Sequence, residues 1–354
     1  MTKVVVAMSG GVDSSVAAAL LKAQGYDVIG MMLRLWSEAG KEESNRCCTP
    51  EAITLARRAA ARLDIPFYVV DARQVFKETV VQYFLDGYAR GETPNPCLLC
   101  NRQIRWTFLL EHALALGAEF MATGHYARLL RSDRGCIQLL RAVDAAKDQS
   151  YILHVLTQDK LARALFPVGE YTKPEIRVLA EQYGLPTASR HDSQDLCFLA
   201  GDDYRNFLRR NMPALLQPGP IVNAQGVQVG EHAGLANYTL GQRKGLGVAS
   251  GVPLYVLGKD AATNSLRIGL EHERGSQELL AVDVNWTAGV PRLEAFRADV
   301  KVRYTAREAP ARVEPLENGN RARVRFEAPQ RDITPGQAAV FYEGEVVVGG
   351  GIIR

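Results

Sequence analysis

The sequence predicts an α/β protein: an N-terminal doubly wound parallel sheet, then a small α+β central domain, then a C-terminal β-barrel. Three observations lead there. Residues 4–7 are a β-branched run that passes through Ser9-Gly10-Gly11-Val12-Asp13-Ser14-Ser15 into a helix-forming stretch, and an unbroken apolar run of that length reads as a strand covered on both faces. Strand-like and helix-like stretches then alternate, the pattern of βα units in a parallel sheet. Beyond Glu278, short alternating strands recur at close spacing, which suits a small barrel. The expected domains are residues 1–200, 201–275 and 276–354.

Each element follows from local chemistry. After the first strand, Gly10 and Gly11 lack a Cβ, so the backbone can turn tightly and pass close to a ligand. Asp13, Ser14 and Ser15 are residue types that cap helices. Such a turn aims several backbone N–H groups at one point, at the positive end of a helix dipole, which suits a phosphate. The lysine of a Walker loop is missing. Residues 26–33 form the second strand, and the charged stretch 37–45 reads as a solvated connection. Cys47-Cys48-Thr49-Pro50-Glu51 opens a helix, with Thr49 as cap and Pro50 in the first turn. Residues 66–71 are the third strand, and residues 75–91 a helix with aromatic residues at packing spacing.

Thr93-Pro94-Asn95-Pro96-Cys97-Leu98-Leu99-Cys100-Asn101 is expected to be a rigid, non-helical loop, because its prolines restrict it. A helix over 104–116 and a strand over 120–127 follow; the strand contains Gly124, a second place where backbone can approach a ligand. A hairpin-like region covers 136–141, and helices start near Ser150, at Lys173 behind a Thr172 cap, and at 203. From Pro218 the chain becomes rich in glycine and strand: 219–222, 226–230, the loop Gly241-Gln242-Arg243-Lys244-Gly245, then 280–284, 296–304, 321–326, 338–342 and 346–352.

Composition sets bounds. The 354 residues are 47% hydrophobic and 23% charged, which is ordinary for a soluble globular chain. A net charge of +3 does not announce nucleic-acid binding, so any such binding needs a localised basic face. No apolar stretch reaches the roughly 18 residues of a membrane span. The sequence opens on a strand rather than a signal peptide, and six cysteines in that context read as cytosolic thiols. A cytoplasmic protein is expected.

The C-x-x-C at Cys97 and Cys100 admits three readings. Structural zinc wants four ligands, and the chain has no second C-x-x-C. A redox pair is a second reading, weakened by the flanking prolines. The third is sulfur transfer, since thiolates attack sulfur and leave from it through mixed disulfides or persulfides. Cys136 reads as a bland thiol, and Cys47 and Cys48 as structural.

Taken together, several motifs resemble one family. They are Ser9-Gly10-Gly11-Val12-Asp13-Ser14-Ser15, Cys47-Cys48, Asn95-Pro96 with Cys100-Asn101, Thr123-Gly124-His125-Tyr126, Lys147-Asp148-Gln149-Ser150, Asp192-Ser193 with Cys197-Phe198, and Gly241-Gln242-Arg243-Lys244-Gly245. The first resembles the pyrophosphate loop of N-type ATP pyrophosphatases; the whole set is similar to the tRNA-specific 2-thiouridylase family. That resemblance implies an adenine nucleotide alpha hydrolase-like first domain with ATP on Ala7, Met8, Ser9, Gly10, Gly11, Val12, Asp13 and Ser14, and with Leu33 and Gly124 near the adenosine. Magnesium would accompany the ATP. The implied reaction adenylates the 2-carbonyl of the wobble uridine in tRNAs for lysine, glutamate and glutamine. Cys197 would carry the persulfide and Cys100 act as the nucleophile that resolves it, with Asp13 in a catalytic role. The resemblance further implies tRNA contacts at Asn95, Pro96, Cys97, His125, Lys147, Asp148, Gln149, Arg303, Tyr304 and Gln337. It implies a sulfur-carrier protein fed by a cysteine desulfurase, and a monomer.

One position departs from the family. Many members carry Asp where this chain has Cys97, so three thiols, Cys97, Cys100 and Cys197, could ligate a [4Fe–4S] cluster with one open iron. Two other function classes compete. An amide-forming synthetase would use the glycine loop without site cysteines, and a non-catalytic RNA-binding module would need no ATP.

Overall fold

The computed structural model describes residues 1–41, 49–131, 135–190, 196–199, 201–331 and 333–354. Its first strand, β1 (Lys3–Ala7), is buried from Val4 onward. Side chains alternate across a strand, and here both faces are covered. Val4 and Val6 join one apolar cluster with Val16, Leu20, Ala56 and Ile176. Val5 and Ala7 join another with Trp106, Leu109, Tyr151 and Phe166. β2 (Asp27–Arg34) pairs in parallel with β1, and β3 (Phe67–Asp71) with β2. On the other side of β1 lies β4 (Phe120–Thr123). The hairpin β5 (Arg128–Arg131) and β6 (Ile137–Leu140) follows, and then β7 (Ala164–Leu165) extends the parallel sheet beyond β4. The strand order β3-β2-β1-β4-β7 is doubly wound, as expected.

Helices α1 (Val12–Ala23) and α2 (Pro50–Arg62) supply the first cluster. Thr49 caps α2 through its side chain, accepting from the N–H of Ala52 at 3.0 Å. Cys47, Cys48 and Asp192-Ser193, named in the motif set, lie outside the described residues. Residues 73–89 form a continuous helix with a π-helical stretch at Lys77–Val81.

The loop expected at 93–101 is a correction. Its second half is helical: Pro96–Leu99 opens a helix that continues as a π-helical stretch, Cys100–Leu109, and ends at Ala115. Asn95 caps it, its Oδ1 accepting from the N–H of Cys97 at 3.1 Å. Pro96 takes the first helical position, where the missing N–H costs nothing. The second proline therefore starts a helix rather than forbidding one.

The helix Tyr204–Asn211, capped by Asp203, leads into a four-stranded sheet. It contains β8 (Gly219–Val222), β9 (Gln228–His232), β10 (Tyr255–Asp260) and β11 (Ser265–Gly269), in the order β10-β11-β8-β9. Last come β12 (Ser276–Trp286), β13 (Phe296–Lys301), β14 (Ala309–Leu316), β15 (Arg321–Gln330), β16 (Ala338–Glu343) and β17 (Val346–Ile353). Their order is β12-β15-β14-β13-β16-β17, and β12 pairs back onto β17 to close a six-stranded barrel. The expected barrel is present. The N-terminal hairpin is attached to it, because Leu140 of β6 pairs with Val346 of β17. Among the described residues, no helix is long and apolar enough to cross a membrane.

Candidate functional site

The loop after β1 sits at the carboxyl edge of the parallel sheet, where doubly wound folds bind ligands. Gly10 has a φ of 70°, a left-handed conformation that favours glycine. Gly11 is the N-cap of α1 without a side-chain cap bond, so first-turn N–H groups of the helix remain for a ligand. Serine hydroxyls hold the turn. Ser14 Oγ accepts from the N–H of Ser9 at 3.1 Å, and Ser15 Oγ donates to the Gly11 carbonyl at 2.9 Å. Gly124, just past β4, closes over this loop: a Cβ there would lie 2.6 Å from Ser14 N and 2.8 Å from the Asp13 carbonyl carbon. Leu33, at the end of β2, is half-buried against the clusters on both sides.

Three further residues converge on the loop. Lys173 Nζ donates to both Asp13 carboxylate oxygens, at 2.7 and 2.9 Å. The Tyr126 hydroxyl donates to Asp13 Oδ1 at 2.7 Å, and Arg190 Nη1 donates to the Gly10 carbonyl at 2.6 Å. Sequence reading missed Lys173 and Arg190 and gave Tyr126 no role. Lys173 did leave one trace. It occupies the first turn of a helix, Lys173–Gln182, where a cation opposes the helix dipole and needs another reason to be there.

A second group of residues forms where the 93–97 segment meets the barrel. Gln337 Nε2 donates to the Thr93 carbonyl at 2.7 Å, and the N–H of Asn95 donates to the Gly336 carbonyl at 3.2 Å. Pro96 is buried and Cys97 half-buried. Burial pushes the Tyr304 phenol up from its ordinary value, and neighbouring Asp148 and Cys97 add to the push. Arg303 donates to Thr334 Oγ1. Asp148 is buried and accepts from the N–H groups of Ala142 and Ser150 and from Ser150 Oγ. Gln149 Oε1 accepts from the N–H of Tyr126 at 2.9 Å, linking this group to the phosphate loop. Lys147 is half-buried in the adjacent turn.

His125 lies inside, 6% exposed, with Nδ1 2.8 Å from Thr123 Oγ1. Burial, reinforced by Arg105, holds its pKa well below the usual imidazole value, so the ring is neutral near pH 7. Its ring nitrogen and its backbone N–H both engage Thr123 Oγ1, on the other side of Gly124 in the chain.

Cys100 and Cys197 come from segments far apart in the chain and pack against the same cluster, which contains Phe76, Phe84, Phe198 and Phe207. Cys97, Cys100, Cys136 and Cys197 are all half-buried thiols. Among the described residues, no group of three Cys, His, Asp or Glu side chains is arranged to hold a metal. The triad Cys97, Cys100 and Cys197 therefore does not offer the three-thiolate donor set that a [4Fe–4S] cluster needs.

Comparison with known proteins agrees with these elements segment by segment. Residues 2–201 match a model described as tRNA methyl transferase HUP domain, residues 205–270 the tRNA methyl transferase PRC-barrel domain, and residues 276–353 the aminomethyltransferase beta-barrel domain. A tRNA-specific 2-thiouridylase MnmA from Chloroflexus aggregans is 50% identical over 100% of this chain and 98% of its own. The protein of that name from Roseiflexus castenholzii is 48% identical over 100% and 99%. Among solved structures, the U34-tRNA thiolase NcsA from Methanococcus maripaludis with its [4Fe-4S] cluster matches 60% of this chain and 67% of its own, at a TM-score of 0.35 and 21% identity. A likeness that loose carries no argument. The segment models are described by methyl transfer and the full-length relatives by thiolation; the relatives decide, because each spans all three segments at once. The chain belongs to the tRNA-specific 2-thiouridylase MnmA family.

Proposed function

We propose that this protein uses ATP to convert the wobble uridine of tRNAs for lysine, glutamate and glutamine into 2-thiouridine. The observation that carries the reading is the pairing of two sites. A phosphate-type loop lies at the carboxyl edge of the sheet, and two thiols, Cys100 and Cys197, share one apolar cluster that also takes in Leu33 near the carboxyl end of β2.

In this mechanism the uracil 2-carbonyl oxygen attacks the α-phosphorus of ATP and pyrophosphate leaves. Backbone N–H groups at the start of α1, from Gly11 through Ser14, receive the phosphate charge. Gly124 lets the end of its strand pack directly on the Asp13–Ser14 backbone, and Leu33, Gly124 and residues 7–9 would lie toward the adenosine. Mg2+ would arrive on the ATP phosphates and keep most of its waters, since both Asp13 oxygens already accept from Lys173 and one also from Tyr126. When bound, the ion neutralises the leaving pyrophosphate. The terminal sulfur of a Cys197 persulfide then bonds to C2. The Cys100 thiolate attacks the Cys197 sulfur, the persulfide S–S bond breaks toward C2, and AMP leaves with the original oxygen. The products are 2-thiouridine and a Cys100–Cys197 disulfide, which a thiol must reduce. A [4Fe–4S] cluster finds no matching donor set among the described residues, so no step uses one.

Chemistry on a stacked base requires its extrusion. Asn95, Pro96 and Cys97 would receive the base, with Tyr304 and Gln337 closing from the barrel. Lys147, Asp148, Gln149, Arg303 and the buried His125 would support the anticodon region. A cytoplasmic monomer that receives sulfur from a carrier protein, fed by a cysteine desulfurase, fits this scheme.

Nucleoside analysis of tRNA from cells lacking this chain tests the reading; wobble 2-thiouridine should be absent. In purified protein, Cys100→Ser and Cys197→Ser should each abolish thiolation while tRNA-dependent pyrophosphate release persists. Unchanged 2-thiouridine in the deletion strain, or pyrophosphate release that ignores tRNA, would overturn it.

A further inference from the structure

We infer that Cys97 is a third redox thiol that takes over the disulfide left by each turnover; the inference rests on the sulfur-transfer reading above. Cys97 and Cys100 are one turn apart on the helix that begins at Pro96. Residues three apart share a helix face, and helical geometry puts their Cα atoms about 5 Å apart, inside the roughly 4.4–6.8 Å that a disulfide spans. The Asn95 cap fixes the start of that turn through the N–H of Cys97, and Asn101 Nδ2 donates to the Cys97 carbonyl at 3.0 Å. The pair is thus held on a defined frame.

The surroundings of the three thiols differ. Cys100 and Cys197 both pack on the Phe76–Phe84–Phe198–Phe207 cluster, whereas Cys97 is not part of it. Cys97 instead faces the barrel, within electrostatic reach of Tyr304, which is 40% exposed. A Cys100–Cys197 disulfide would rest against aromatic rings, where an external reductant has poor access. A Cys97–Cys100 disulfide would instead begin at the start of the helix, on the side of the half-buried Cys97 that is within electrostatic reach of Tyr304.

The step is a thiol–disulfide exchange. The Cys97 thiolate attacks the Cys100 sulfur, a Cys97–Cys100 S–S bond forms, the Cys100–Cys197 bond breaks, and the electron pair leaves on Cys197 as thiolate. No net oxidation occurs. Cys197 is returned ready for a new sulfur, and an external dithiol later supplies two electrons to the Cys97–Cys100 bond.

The test uses the full-length protein loaded with sodium polysulfide, then mixed with ATP and an unmodified tRNA transcript bearing a wobble uridine, without thiol reductant. After one turnover, thiols are alkylated and disulfides mapped by mass spectrometry. The expected result is mainly a Cys97–Cys100 cross-link, at least fivefold over Cys100–Cys197. In Cys97→Ser only Cys100–Cys197 should appear. With thioredoxin-class dithiol present, the ratio of later-turnover rate to first-turnover rate should drop at least fivefold in that variant. Wild-type protein that makes 2-thiouridine and ends with Cys100–Cys197 as its main disulfide would overturn the inference and leave the parent reading standing. Absence of both 2-thiouridine and any Cys100 disulfide would overturn the two together.

Discussion

The Asp13–Lys173 pair joins the phosphate loop to a helix 160 residues later, and its removal should be felt in stability. The Lys173 side chain is only 10% exposed, while that of Asp13 is 29% exposed. Asp13→Ala strands a buried ammonium that has lost both carboxylate oxygens, and breaking a buried pair from one side costs about 3–5 kcal/mol. Lys173→Met leaves a better-solvated carboxylate that still accepts from the Tyr126 hydroxyl, so a smaller cost of about 2 kcal/mol follows. The double variant removes both charges and should be less destabilised than the sum of the single variants by about 2 kcal/mol. Urea unfolding in a Trp286→Phe background, followed by the fluorescence of Trp36 and Trp106, reads this out in the first 200 residues. Single effects that add to within about 0.5 kcal/mol would refute the coupling.

Other consequences are equally direct. Gly124→Ala places a Cβ 2.6 Å from a backbone nitrogen that cannot swing away; ATP affinity by calorimetry should fall at least tenfold, and an unchanged Kd would contradict the close approach. His154 is buried, and burial lowers its pKa from 6.5 to about 4, against a raising hydrogen bond from its ring to the Tyr151 carbonyl. Buried His125 is lowered in the same direction. Above about pH 6.5 these rings are neutral in both states; below it the unfolded chain takes protons first, so stability falls as pH drops from 6.5 toward 4, by about 3 kcal/mol for His154 alone. Urea midpoints between pH 7 and 4.5 should show that slope, and His154→Gln should flatten it; an identical slope in the variant would exclude His154 as its source. Lys147→Ala should weaken tRNA binding evenly across anticodons and lower the log–log salt slope by about 1 in filter binding. A slope equal to wild type would remove Lys147 from the phosphate contacts.

The parts of the fold set by local chemistry were legible in advance. The valine run, the Gly10-Gly11 turn and the Thr49-Pro50 helix start each follow from neighbours in sequence. What escaped was decided by distant partners. β14 went unread because Pro310 and Pro315 argue against an interior strand. In the barrel, Pro310 is flanked only by Asp299 of β13, and Pro315 only by Ala322 of β15. Each proline sits where the strand has one neighbour rather than two, so less of the ladder is at stake at those positions. Within the site, the serines and glycines of the loop could be read, but the Lys173 bond to Asp13 and the Arg190 bond to Gly10 could not, since no spacing rule links residues so far apart. Pro96 misled for a different reason: the same residue that breaks a helix interior suits its first position.

The hold of Gln337 on Thr93 spans 244 residues, and this has a consequence for how the protein is born. A ribosome adding about 5–20 residues per second takes roughly 12–50 s to cover that gap. Once β7 (Ala164–Leu165) has emerged, the parallel sheet can be complete while the Thr93–Asn95 turn still lacks its clasp. The segment proposed to receive the uridine is therefore finished only after Gln337 has been made, well after the loop that precedes α1.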